Sequence, residues 1–178
     1  MRPLLLLAIV ACAPAFAADG GVAEEAGARE AAEEEATENG VSVRLLAGGA
    51  NEPGVESNLI VGAGVAYERD FFDNLIAVEF ALEGLVAPDA QSLVVEAVVE
   101  KPIEINDALG LYVGAGPTVG LHLKDDRALP GAGGLALIGG EWFIAGGFEV
   151  FLELDTAFLY FDRPVVEADL GLGALYRF

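Results

Sequence analysis

The side chains that could support nucleophilic chemistry are few. His122 is the single histidine, and Ser42, Ser57 and Ser92 are the only serines. Serine hydrolysis needs a nucleophile, a base and a group that orients the base, all within hydrogen-bonding reach. No serine accompanies the histidine in the stretch Leu121-His122-Leu123-Lys124, so no catalytic residue is assigned and the chain is expected not to be an enzyme. His122 then reads as a rim residue meeting Asp125, Asp126 or water. Cys12 is the single cysteine, which leaves no disulfide framework and no thiolate metal site. Gly131-Ala132-Gly133-Gly134-Leu135-Ala136 fits a dinucleotide fingerprint by letters alone. That motif has meaning only between a strand and a helix, and here it reads as the start of a strand. Carboxylates are abundant but lack calcium-loop spacing, so neither a metal nor a cofactor is expected.

The elements that would position such residues follow from composition. Of 178 residues 54% are hydrophobic, yet the net charge is -20, which excludes a nucleic-acid binder because a phosphate polymer needs a basic surface. Beyond the first twenty residues no apolar run approaches the roughly 18 residues of a membrane helix without glycine or charge. The N-terminus is different. A short charged start at Arg2, an apolar core over residues 4–11 and the small-x-small site Ala15-Phe16-Ala17 read as a secretory signal over 1–17. Ile9-Val10-Ala11-Cys12 also resembles a lipobox, leaving acylation of Cys12 as an alternative. In either case the chain is exported. Residues 18–40 carry eight acids and one base without an apolar face, the composition of a disordered tail. The remainder, 41–178, still carries a net charge of -14.

From Val41 onward the hydrophobic period is 2. Eight segments are expected, at 41–49, 58–69, 75–86, 92–101, 109–122, 133–143, 148–160 and 165–178. Segments near ten residues separated by turns suit a transmembrane barrel. A soluble barrel shares this alternation, and glycine separates the two. The more polar face of the fifth segment is Gly110, Tyr112, Gly114, Gly116, Thr118, Gly120 and His122. A solvent face of glycines would weaken a strand, whereas the interior of an eight-stranded barrel has room only for small side chains at such positions. Leu109, Leu111, Val113, Val119 and Leu121 then face lipid. Aromatic residues fall at strand ends: Tyr67, Trp142, Phe148, Tyr176 and Phe178 at the periplasmic end, Phe158 and Tyr160 at the other. Two such belts are the girdles of membrane barrels.

Several stretches resemble a known family. Gly171-Leu172-Gly173-Ala174-Leu175-Tyr176-Arg177-Phe178 is similar to the C-terminal insertion signal of bacterial outer-membrane proteins. Leu109-Gly110-Leu111-Tyr112-Val113-Gly114-Ala115-Gly116 is similar to the Tyr-x-Gly-x-Gly strand of small outer-membrane barrels, and Tyr67-Glu68-Arg69 before Asp73-Asn74-Leu75 to their strand-turn-strand repeat. Together they resemble the OmpA-transmembrane-domain-like and opacity-protein-like barrels across 41–178. The resemblance implies an all-β fold, an eight-stranded antiparallel up-and-down transmembrane β-barrel of the Gram-negative outer membrane. It also implies a surround of outer-membrane lipid and recognition by the assembly machinery through the C-terminal strand. With Phe178 as the last residue, the peptidoglycan-binding domain of some relatives is not expected. Short outward loops count against the adhesive role of the long-looped members.

The inward residues are acidic, with two arginines among them. Arg44 and Arg177 are expected near one level at the periplasmic end, paired with Glu68 and Glu149 and with Glu79 and Glu100 across the lumen. Glu83, Glu96, Glu153, Asp155, Glu167 and Asp169 are expected higher up, without a comparable base. The expected role is a monomeric, non-enzymatic envelope protein, structural or interactive. The alternatives are a narrow cation-favouring pore and, further off, a lipid-modifying enzyme.

Overall fold

The computed structural model describes residues 39–51, 58–72 and 74–178. The signal segment, Cys12 and all but the last two residues of the acidic tail lie outside them. The described chain forms eight strands: β1 (Asn39–Asn51), β2 (Asn58–Phe71), β3 (Ile76–Val86), β4 (Ala90–Asn106), β5 (Leu109–Lys124), β6 (Arg127–Ala145), β7 (Phe148–Tyr160) and β8 (Pro164–Arg177). Each pairs with its sequence neighbour, and β1 pairs antiparallel with β8, closing the barrel. The backbone of Phe178 exchanges hydrogen bonds with Asn39 at 2.8 and 3.2 Å, so the seam is tied at the end that carries both described termini.

Two boundaries differ from the sequence reading. The expected connection at 123–132 shrinks to Asp125 and Asp126, both at positive φ (50° and 59°), so β6 starts at Arg127. A two-residue hairpin with both central residues left-handed matches strand twist, and aspartate tolerates that conformation. The expected turn at 102–108 shrinks to two residues because β4 continues through Pro102 to Asn106. β3 follows β4 only as far as Glu100, opposite Ala77. Beyond it β4 is an edge on that side, where proline is tolerated. Gly131, read as the start of a strand, lies inside β6 opposite Gly120.

The two faces sort by alternation. Leu45, Leu59, Val99, Leu154, Leu170 and Leu172 point outward and are half exposed or more, while Arg44, Val94, Val98, Tyr112, Thr118, Phe151 and Leu175 are buried in the lumen. An unbroken apolar exterior of this extent is unsuited to water and is what a lipid-facing barrel presents. Tyr67, Trp142, Phe148, Tyr176 and Phe178 are exposed around the end carrying the termini, and Phe158 and Tyr160 around the other. Phe80, directly opposite Tyr67, joins the first group. The rings of Phe148 and Tyr176 lie 4.7 Å apart, Phe178 stacks on Tyr176 at 6.2 Å, and Tyr67 donates to Asn39 Oδ1 at 2.6 Å.

Inside, glycine makes room where the lumen is tightest. A Cβ at Gly139 would meet the ring of Tyr112, and one at Gly116 would meet the carbonyl oxygen of Ala97 on the neighbouring strand.

Candidate functional site

The lumen holds two arginine-centred clusters at different heights. Arg177 lies opposite Gly40 and Arg44 opposite Gly173, four residues apart on each strand, or about 13 Å at the rise of a β-strand. The expected single level is therefore corrected. Parity puts both side chains in the lumen, but only the β1–β8 register sets their heights.

Arg177 donates from Nη1 to Glu68 (2.9 Å) and Asp70 (2.7 Å) and from Nε to Glu149 (2.6 Å), with Glu141 3.7 Å from Nη2. Arg44 donates from Nη2 to Glu79 (2.5 Å) and from Nη1 to Glu153 (2.8 Å), and its Nε lies 3.4 Å from Glu83. The planar guanidinium fork can serve several carboxylates at once, which an ammonium cannot do with equal directionality.

Glu68 and Glu149 thus fall to Arg177, and Glu79 to Arg44. Glu100 is buried but makes no ion pair with either arginine among the described residues. Glu83 and Glu153, expected higher up and without a base, are partners of Arg44 instead. Asp70 and Glu141 complete the lower cluster. Glu141 lies within the expected segment 133–143 and shares the inward parity of Gly139, so it could have been read from the alternation, whereas Asp70 falls just past the expected segment 58–69 and joins the lumen because β2 runs on to Phe71.

Above Arg44 the lumen mixes acidic and apolar side chains. Glu167 and Asp169, opposite Ala50 and Gly48, are buried there, and Asp155 lies across from Asp169. Among the described residues neither Arg44 nor Arg177 makes an ion pair with any of the three. Leu46, Ile60, Leu85 and Val94 form one buried cluster, and Val98, Leu135, Leu137 and Leu159 belong to another that Phe161 packs against. Across the middle, Arg44, Glu153, Val98, Thr118 and Leu159 are each 2% exposed or less, so no water-wide passage runs past them. The interior void beside Glu79, Glu100, Tyr112 and Glu153 measures about 20 Å³, near the room of a single water. Toward the termini the lumen widens into a cleft of about 600 Å³, bordered by Asp70, Lys101, Glu141, Glu149 and Arg177.

The opposite mouth is built differently. A cavity of about 80 Å³ has walls of Ile60, Leu85, Leu129 and Val165 and a polar side of Asp89, Ser92, His122 and Lys124. The β4–β5 register sets Ser92 directly opposite His122. Their Oγ and Nδ1 atoms are 2.9 Å apart, and the imidazole lies 5.3 Å from the Phe161 ring. This corrects the expected setting of His122 against Asp125 and Asp126. Ser92 is thirty residues away in sequence, so proximity along the chain could not reveal the pair. At the rim Lys124 lies 3.1 Å from Asp89 and, by hydrogen bonding, holds that carboxyl below its usual range.

Closed antiparallel topology, inward ionic clusters and an apolar exterior give the chain the fold of the small eight-stranded outer-membrane β-barrels. Among solved structures it is similar to Neisserial surface protein A, with a TM-score of 0.70 at 10% identity over 79% of this chain and 97% of that one. Ail, the attachment invasion locus protein of Yersinia pestis, gives 0.58 at 16% identity over 80% and 99%. The outer membrane enzyme PagL gives 0.55 at 13% identity over 74% and 97%. No protein-family model and no curated protein matches the sequence.

Proposed function

We propose that the chain is an integral protein of the bacterial outer membrane with a structural or interaction role in the cell envelope. In this reading the termini face the periplasm, and the barrel acts as a single copy that conducts nothing. The sealed lumen carries the reading. Two arginine clusters and, above them, a mixed layer of apolar and acidic side chains fill a barrel whose eight strands enclose little more than their own side chains. Purified, folded protein in planar bilayers should give no stable current at neutral pH. Reproducible cation-selective openings would overturn this reading in favour of a narrow pore, which the acidic lumen suggests.

The C-terminal strand is proposed to be the segment that the outer-membrane assembly machinery recognises. Phe178 closes the seam through Asn39 and continues the aromatic row of Phe148 and Tyr176 outward. Phe178→Asp should reduce the heat-modifiable, membrane-inserted fraction severalfold while export across the inner membrane continues. Insertion at the unsubstituted level would remove the role assigned to this residue.

A further inference from the structure

Ser92 and His122 form the one serine–histidine hydrogen bond among the described residues, and nothing in the sealed lumen needs it. Ser92 Oγ stands 2.9 Å from His122 Nδ1, on adjacent strands whose direct pairing fixes the distance through backbone rather than loop. Both side chains are half-buried and open onto the outer-mouth cavity. One wall of that cavity is aliphatic, from Ile60, Leu85, Leu129 and Val165, while Asp89, Lys124 and Asp162 stand on the polar side. A hydroxyl hydrogen-bonded to an imidazole nitrogen is the nucleophile–base pair of serine chemistry, here without the third, orienting group of a full triad. An adjoining apolar wall selects an apolar acyl group.

We propose that this mouth is an acyl-ester hydrolase site, with Ser92 as nucleophile and His122 as base, for carboxylic esters of short apolar acyl groups. With the ring proton on Nε2, Nδ1 takes the Ser92 proton as Oγ bonds to the ester carbonyl carbon. The carbonyl–alkoxy bond then breaks, and the departing alcohol receives that proton from His122. Water attacks the acyl-serine, giving its proton to Nδ1. Cleavage of the bond between Oγ and the acyl carbon releases the carboxylic acid and returns the proton to Ser92. The aliphatic wall holds the acyl chain. Phe161 packs beside the imidazole, its ring tilted 39° to it at 5.3 Å between centroids.

The test uses the full chain folded in detergent micelles and a fluorophosphonate, which phosphonylates activated serines with loss of fluoride. One adduct per folded chain is expected, on the peptide containing Ser92 and absent from chain unfolded by heating. Ser92→Ala should abolish it. His122→Gln should slow it by about a hundredfold or more, the usual contribution of a general base. Ser42→Ala, altering a buried serine of the lumen remote from the mouth, should leave it unchanged. p-Nitrophenyl butyrate should be hydrolysed by the unsubstituted protein and not by Ser92→Ala. Gel heat-modifiability certifies folding of each variant. Absence of an adduct on folded unsubstituted protein, equal labelling of folded and unfolded chain, or labelling that survives Ser92→Ala would overturn the proposal. Bilayer conductance tests the sealed barrel separately, so either reading can fail alone.

Discussion

Arg44→Ala should lower the stability of the folded barrel by about 3–5 kcal/mol, the usual consequence of removing one partner from a buried ionic group. Its side chain is 1% exposed and serves Glu79, Glu83 and Glu153. Without it three carboxylates face one another in a space closed to bulk water. The measurement is the urea midpoint of refolded protein in one fixed micelle. Arg177→Ala should cost less, because that guanidinium is 15% exposed and borders the open cleft. Lys124→Ala should hardly move the midpoint, its partner Asp89 being 53% exposed. Neutralising all three partners in the same chain, as in Arg44→Met with Glu79→Gln, Glu83→Gln and Glu153→Gln, should recover much of the loss, since a neutral cluster no longer leaves charges unpaired. Equal midpoints for Arg44→Ala and Lys124→Ala would mean that the central cluster does not hold the barrel together.

Gly116→Val should prevent the barrel from closing in its native register. A Cβ at this position meets the carbonyl oxygen of Ala97 and comes within 2.9 Å of Val98 Cα, both backbone atoms of the paired strand. A rotamer change cannot relieve such a clash, so β4 and β5 must separate. Pro117, beside it, already withholds one ladder donor. The variant is expected to remain in the heat-unmodified, unfolded band under conditions where the unsubstituted chain refolds almost fully. Gly140→Ala is the contrast. A Cβ there finds only ordinary contacts, 3.4 Å to Leu111 Cδ2 and 3.7 Å to Gly110 O, and refolding should be nearly unaffected. Comparable refolding of Gly116→Val and Gly140→Ala would show that β4 and β5 need not approach as closely as described.

Alternation along the sequence determined much by itself. A period of 2 assigns each side chain to one of two faces. The glycine-rich face of β5 identifies which is the lumen, so Arg44, Arg177, Glu68, Glu79, Glu100 and Glu149 are legible as interior residues, and Tyr67, Trp142 and Phe178 as exterior ones. Parity carries no height, however. How far one strand slides against the next depends on hairpin geometry and on the staggered closure of the whole barrel, to which every turn contributes. The left-handed pair Asp125 and Asp126 lengthens β6, and the β1–β8 register sets Arg44 four residues above Arg177. Only the tertiary structure therefore decided which carboxylates each arginine holds and that Glu100 pairs with neither. The same holds for Ser92 and His122. Thirty residues apart and unremarkable in sequence, they meet because the β4–β5 register makes them directly opposite, a relation between strands rather than within one.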